Sequence, residues 1–255
     1  MIVEETKTYI YEYPVNECIR ICLKIEPLLK QLEILSNQTH PLQHKNQILL
    51  LINIINILDR QDIKTKFIKL ITQQQTALLA LQNNNQVDQS TLQYWVQKLK
   101  ILSNNIQNSS NILDNLKQDK LINLIIQQQC TTYGIANFMI PQLQCWLQLP
   151  DEHRLQQLAA WKQNLTLIEN IIVTLLPLIR NTAIFQKENI SNQNFFQTNL
   201  ITKERDLYLI RIKMYHSDIY PEISVGKHRL IINFLNTYSQ NKNQNIKFEW
   251  LAALS

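Results

Sequence analysis

The chain has 255 residues, a formal net charge of +5 and 45 % apolar residues, enough for a hydrophobic core in one large domain or two small ones. Its 2 glycines, Gly134 and Gly226, exclude the loops that cradle phosphates. A dinucleotide fingerprint needs several glycines close together, and Gly226-Lys227 is followed by His228 where a P-loop needs Ser or Thr. In chain order, residues 6–13 alternate and are rich in β-branched and aromatic types, which predicts a strand ended by Pro14. Helical spacing follows. Val15, Ile19, Cys22, Leu29 and Leu32 form the first apolar stripe, and residues 37–41 break it. Ile48, Leu51, Ile52, Ile55 and Leu58 form the second; Phe67, Leu70, Ile71, Leu78 and Leu81 the third. Asn83-Asn84-Asn85 marks a loop, with Asp88 or Ser90 as the N-cap of a fourth helix through Leu92, Leu99 and Leu102. Leu121, Leu124 and Ile125 sit on a fifth.

Residues 131–140 change period and predict a strand ending at Pro141. Helix resumes at Leu143 and again at Pro150-Asp151-Glu152, where charges read as capping and solvation. The apolar face then runs from Leu155 to Leu175, and Pro177 predicts a kink. Residues 189–199 read as a polar loop. Residues 207–214, 229–235 and 246–250 read as strands, with a hairpin turn over 240–245. The expected architecture is α+β: a predominantly α-helical domain over 15–187 and a smaller, mainly antiparallel β domain over 188–255, joined by strands 6–13 and 131–140.

No constellation predicts catalysis or a metal, and no cofactor is expected. Cys18, Cys22, Cys130 and Cys145 form no C-x-x-C pair and read as small apolar residues of a reducing compartment. His40 and His44 lie four apart with Pro41 between them and no neighbouring acid. Asn and Gln number 56 but interleave with leucine periodicity, which reads as a polar helical surface. The start carries acids and no apolar core, so no signal peptide is expected, and no apolar run reaches membrane-spanning length.

The basic residues carry more. Alternation puts Arg211 and Lys213 on one face of a strand, and Arg229 and Asn233 on one face of the next, with Lys227 and His228 just before. Arg60, Lys64, Lys66 and Lys69 add a second basic stretch. Such faces attract acidic peptides, nucleic acid or anionic lipid. A basic nucleic-acid-binding module is the alternative reading, although the charge is modest and no recognised binding motif is present.

Several segments, in order, resemble the ZapD family of cell-division proteins. Tyr11-Glu-Tyr-Pro-Val-Asn-Glu17 resembles its opening strand end, and Lys24-Ile-Glu-Pro-Leu28 its R-x-E-x-L helix. Pro141-Gln-Leu-Gln-Cys-Trp-Leu-Gln-Leu-Pro150, Leu178-Ile-Arg-Asn-Thr-Ala-Ile-Phe185 and Tyr220-Pro-Glu-Ile-Ser-Val-Gly-Lys-His-Arg229 resemble three further family segments. The resemblance implies a helical domain with a smaller β domain and a symmetric homodimer without catalytic activity. It also implies binding to the C-terminal tail of FtsZ, bundling of FtsZ filaments at the Z-ring, and a cytoplasmic location at mid-cell. The family's basic binding positions match Lys24, Arg60, Lys120 and Arg229, with Lys24 and Lys120 standing for arginines. Gln144 stands where a family histidine is expected, and Asn233 where an arginine is expected. Lys227, Arg211 and Lys213 are the neighbouring cations expected to supply charge, so the expected tail site is Arg229, Lys227, Arg60, Lys24, Lys120, Arg211 and Lys213.

Overall fold

β1 (Tyr9–Pro14) opens the described chain, its aromatic and β-branched residues alternating until Pro14, which has no N–H to donate to a ladder. The structure is a computed structural model that describes residues 7–60, 62–84, 86–109, 113–128, 139–191, 194–200, 206–226, 228–237 and 245–254. Asn16 then starts α1 (Glu17–Leu35), its Oδ1 accepting from the Cys18 N–H at 2.8 Å. The helices α2 (Pro41–Leu58), α3 (Ile63–Ala80), α4 (Gln89–Asn108), α5 (Asp114–Gln118), α6 (Lys120–Gln128) and α7 (Pro141–Leu147) follow. Asp88 caps α4, accepting from the Ser90 and Thr91 N–H groups at 3.1 and 3.3 Å. The Thr91 and Ser90 hydroxyls and these amides hold its carboxyl down to about 2.

The apolar run from Leu155 to Leu175 is two helices, α8 (Asp151–Gln163) and α9 (Thr166–Arg180). Asn164 divides them: its side-chain amide donates to the Ala160 carbonyl at 2.9 Å, taking up an end that further helix would otherwise satisfy. α9 continues through Pro177 to Arg180. Among the described residues no helix is long and apolar enough to cross a membrane.

Seven strands form two antiparallel sheets among the described residues. One has the order β1-β4-β7-β2, with β2 (Gln186–Ile190), β4 (Leu207–Met214) and β7 (Ile246–Leu254). The other has the order β3-β6-β5, with β3 (Phe195–Asn199), β5 (Ile219–Val225) and β6 (Arg229–Asn236). Their inner faces share one core that includes Ile210, Ile212, Ile232, Phe234, Phe248 and Trp250. Residues 189–199, expected as a polar loop, contribute to two strands. β2 and β3 are edge strands whose polar residues face solvent, and their order comes from ladders with apolar β7 and β6. β5 escapes a propensity reading because it holds Pro221, which an edge strand tolerates. The expected strand 131–140 lies outside the described residues except for Met139 and Ile140, which lead into α7. Most of the expected turn 240–245 also lies outside them.

The fold is thus α+β, a helical part with a smaller antiparallel part. By packing, the residues up to Arg20 and those from Leu176 onward form one unit, and Ile21–Leu175 forms the other. The helical unit buries Ile52, Phe67, Leu99, Ile125 and Leu165 completely.

Candidate functional site

In the helical unit the candidate site is built around the start of α6. Asp119 sets that start: its Oδ1 accepts from the Leu121 and Ile122 N–H groups at 2.9 and 3.1 Å. Its Oδ2 accepts from Trp161 Nε1 at 2.9 Å. Trp161 lies against Trp146, ring centroids 5.6 Å apart, and Trp146 Nε1 donates to Gln157 Oε1 at 2.7 Å. These bonds lock α6, α7 and α8 around a shallow hollow of about 360 Å³. Leu121, Cys145, Trp146 and Leu149 give it an apolar wall, and Lys120 and Gln142 a polar rim. Because the Asp119 carboxylate is spent on the helix start and on Trp161, it leaves the exposed Lys120 ammonium uncompensated by its sequence neighbour. An aliphatic side chain flanked by a carboxylate fits such a hollow.

Arg60 is exposed just after α2. Its neighbour Asp59 pairs with Lys117 at 2.5 Å, which ties the end of α2 to α5, three residues before Lys120. The pair brings the chain just after α2, where Arg60 lies, next to Lys117 of α5. Two lysines of that basic stretch are engaged locally. Lys66 pairs with Asp62 at 2.5 Å, and Lys64 donates to the Gln107 and Ser109 carbonyls at 3.1 and 2.6 Å. Lys24 is exposed on α1, outside the set lining the hollow. Gln144 is exposed on α7 beside Cys145.

In the β unit, Arg229 is exposed at the start of β6, opposite Asn199 in the register. It belongs to the outer face of the three-stranded sheet. On that face Asn233 stands between Phe195 and Glu222, and Leu235 pairs with Tyr220. Phe195, Tyr220 and Leu235 are 51 %, 41 % and 38 % exposed, so one guanidinium sits on a partly apolar face. Where the resemblance expects a second arginine, Asn233 has an acid, Glu222, as its cross-strand neighbour. Lys227 lies outside the described residues.

Arg211 and Lys213 belong to the other sheet. They share its outer face, as alternation predicts, but each faces a carboxylate across the ladder. Arg180 Nε and an Arg180 terminal nitrogen donate to the two Glu12 oxygens at 2.8 and 2.6 Å. Arg211 Nε lies 2.8 Å from Glu12 Oε1, off the line of a hydrogen bond, and its Nη1 donates to the Arg180 carbonyl at 3.1 Å. The Arg211 guanidinium also sits 5.5 Å over the Phe185 ring, and the side chain is only 14 % exposed. Lys213 lies 3.4 Å from Glu249, which accepts the Tyr215 hydroxyl at 2.5 Å. That hydroxyl, ahead of Lys213, holds the Glu249 carboxyl below the usual glutamate range, and the same bond raises Tyr215.

The Glu249 cluster gives a pH test. Tyr215→Phe is expected to cost about 1.5 kcal/mol of stability at neutral pH, the scale of a hydrogen bond to a charged group. Because the Glu249 carboxyl is lowered, its contribution is complete above about pH 5 and is lost as pH falls through its folded value. The gap between wild type and variant should therefore close in acid. Urea unfolding from pH 7 to pH 3 measures it, and a gap independent of pH would contradict the assignment.

The family described as ZapD, cell division protein, matches residues 23–233. The chain belongs to the ZapD family of cell division proteins. The cell division protein ZapD of Coxiella burnetii is 33 % identical over 242 residues, covering 94 % of this chain and 93 % of that protein. Those of Pectobacterium carotovorum and Klebsiella pneumoniae are 31 % and 32 % identical, over 93 % and 89 % of this chain and 94 % and 90 % of theirs. The ZapD match runs from α1 into β6. It takes in Lys24, Arg60, Lys120, Arg211, Lys213 and Arg229, while Glu12 and Glu249 lie beyond its two ends.

The pair of Asp59 with Lys117, which links the end of α2 to α5, has no local pattern to signal it. The Trp146 wall of the hollow reads in sequence as an ordinary core position. Its Cys145 and Leu149 neighbours, polar and apolar residues alternating after a helix-starting Pro141, were the available signal.

Proposed function

We propose that this ZapD-family chain is a non-enzymatic division factor of the cytoplasm that binds the C-terminal tail of FtsZ. As a homodimer it would cross-link FtsZ filaments at mid-cell, stabilising the Z-ring. The observation that carries the reading is the hollow beside Lys120, an apolar wall with an exposed cation on its rim. It suits a short peptide that alternates aliphatic and acidic side chains. Arg229, with Phe195, Tyr220 and Leu235 on the same exposed sheet face, offers the same chemistry in the β unit. Lys24 adds an exposed cation on α1, whereas Arg211 and Lys213 are balanced by Glu12 and Glu249 and support the sheet. That balance also weakens the case for nucleic acid, which those two residues had helped to motivate. Two tail sites on one dimer bridge two filaments, and repetition along a filament multiplies weak contacts.

Sedimentation of assembled FtsZ, intact and without its tail, tests the reading. Co-pelleting and bundling only with intact FtsZ supports it; no co-pelleting with either removes it. Lys120→Glu and Arg229→Glu are each expected to weaken a labelled tail peptide by at least about 2 kcal/mol, reversing a charge beside a partly desolvated contact. An unchanged dissociation constant for either residue removes that residue from the site.

A further inference from the structure

α3 and α4 are neighbours in the helical unit, and each is buried along one face, α3 at Phe67 and Leu70, α4 at Leu99 and Leu102. A second face of α4 stays open. Two rows of side chains four residues apart run along it, Val96, Lys100 and Asn104 in one, Gln93, Gln97 and Ile101 in the other. With Leu79 and Gln82, from the end of α3 and the turn after it, they line a groove of about 490 Å³. Leu79 and Ile101 are 46 % and 53 % exposed, aliphatic surface left in water. Rows at this spacing are the ridges that a packing helix interlocks with, and these run for about three turns. The groove shares no residue with the hollow beside Lys120.

The charge is one-sided. α3 and α4 carry Lys64, Lys66, Lys69, Lys98 and Lys100, and neither helix holds an Asp or a Glu. The acids that precede them are engaged: Asp62 pairs with Lys66 at 2.5 Å, and Asp88 caps α4. Lys64 is turned to the carbonyls at the end of α4. Lys98 lies 5.0 Å over the Trp95 ring and 5.6 Å over the Tyr94 ring, which hold the side chain without neutralising it. Lys100 is exposed in the middle of the first row. Ridges call for a helix as the occupant. A bilayer has no relief to match them, and it would press Gln82, Gln93, Gln97 and Asn104 into hydrocarbon without partners. Lysines with no acid among them call for carboxylates on that helix.

We propose that the α3–α4 groove docks an amphipathic helix of a partner protein, its aliphatic stripe over Leu79 and Ile101 and its acids beside Lys98 and Lys100. This surface is independent of the FtsZ-tail and homodimer readings above. It gives the chain a contact for a further protein while the tail surface is occupied.

Fluorescence anisotropy of a labelled synthetic peptide against the full chain tests it. The probe is a helix of about 18 residues with leucine along one face and glutamate on both sides of that face. A control peptide carries lysine in place of every glutamate. The glutamate peptide should bind with a dissociation constant below about 50 μM, and the lysine peptide at least about tenfold more weakly. Lys100→Glu should weaken the glutamate peptide at least about tenfold, and Leu79→Glu with Ile101→Glu should abolish its binding. All three positions are exposed, and circular dichroism checks that each variant is folded. Lys120→Glu should bind the glutamate peptide as wild type does, and excess FtsZ tail peptide should not displace it. Absence of binding, equal binding of the two peptides, or binding that the groove variants leave unchanged overturns the proposal. Displacement by the tail peptide overturns it by making the groove part of the tail site. Sedimentation with phosphatidylglycerol vesicles, lost in Leu79→Glu with Ile101→Glu and seen without peptide binding, would assign the surface to a bilayer instead.

Discussion

Arg154→Ala is expected to lower the free energy of unfolding by about 3 kcal/mol, the largest effect of any charged residue in the helical unit. The side chain is 3 % exposed although it lies in the first turn of a helix that begins with acids. Its guanidinium bonds to the Asp151 carboxylate and to the Leu147 carbonyl, and reaches the Thr39 carbonyl at 3.1 Å. One planar fork thus joins the α7–α8 connection to the turn before α2. Alanine leaves two carbonyls without a donor and a void where the stem packed. Arg154→Lys is expected to recover under half of the loss, because a single ammonium cannot span three acceptors set for a guanidinium. Glu152→Ala and His153→Ala, exposed in the same turn, should stay within about 0.5 kcal/mol of wild type. Urea unfolding followed by circular dichroism gives all four values. A loss below about 1 kcal/mol for Arg154→Ala would mean that water replaces the guanidinium at little cost.

Arg154 also shows where sequence reasoning stops. Asp151-Glu152-His153-Arg154 looks like a solvated helix start, and for its first three residues that is correct. Nothing local indicates that the fourth turns inward, because the Thr39 carbonyl it reaches is 115 residues away. The helices were legible for the opposite reason. Their apolar stripes are local and repeat at helical spacing, and the Asp88 cap precedes α4 as its side-chain chemistry requires. The division between α8 and α9 was hidden because Asn164 breaks the backbone while the apolar spacing continues across it. Polar β2 and β3 were hidden because edge strands take order from their partners, and Pro221 masked β5 for the same reason.

At the candidate site, alternation correctly put Arg211 and Lys213 on one sheet face, and Arg229 with Asn233 on another. It could not show which of those cations would face solvent. That depends on the residue across the ladder. Glu12 opposes Arg211, Glu249 opposes Lys213, and Asn199 opposes Arg229. Strand pairing is non-local, so charge balance on a sheet is invisible until the register is known. Arg60 was legible as the head of a basic stretch, but Lys120 was named through family resemblance alone, and the hollow that gives it a chemical setting depends on packing among three helices.

Glu12→Gln should reveal the difference between a cation that holds the sheet and one that meets a partner. Glu12 is 17 % exposed and stands between Arg180 and Arg211, which are 22 % and 14 % exposed. Removing its charge leaves two guanidiniums close together in a half-dry setting without the carboxylate they share. The expected loss is about 3 kcal/mol in urea unfolding, close to that for breaking a buried ion pair. Arg211→Met in the same background should restore part of the loss, since it removes one of the two stranded charges and keeps an apolar stem over Phe185. Arg211→Met alone should weaken folding by less than Glu12→Gln, because Arg180 still neutralises Glu12. Below the unfolding transition each of these variants should bind the FtsZ tail peptide as wild type does, while Lys120→Glu and Arg229→Glu should fold normally and bind weakly. If Arg211→Met lost tail affinity while its stability held, the Arg211 guanidinium would contact the tail directly, and the balancing role assigned to Glu12 would fail.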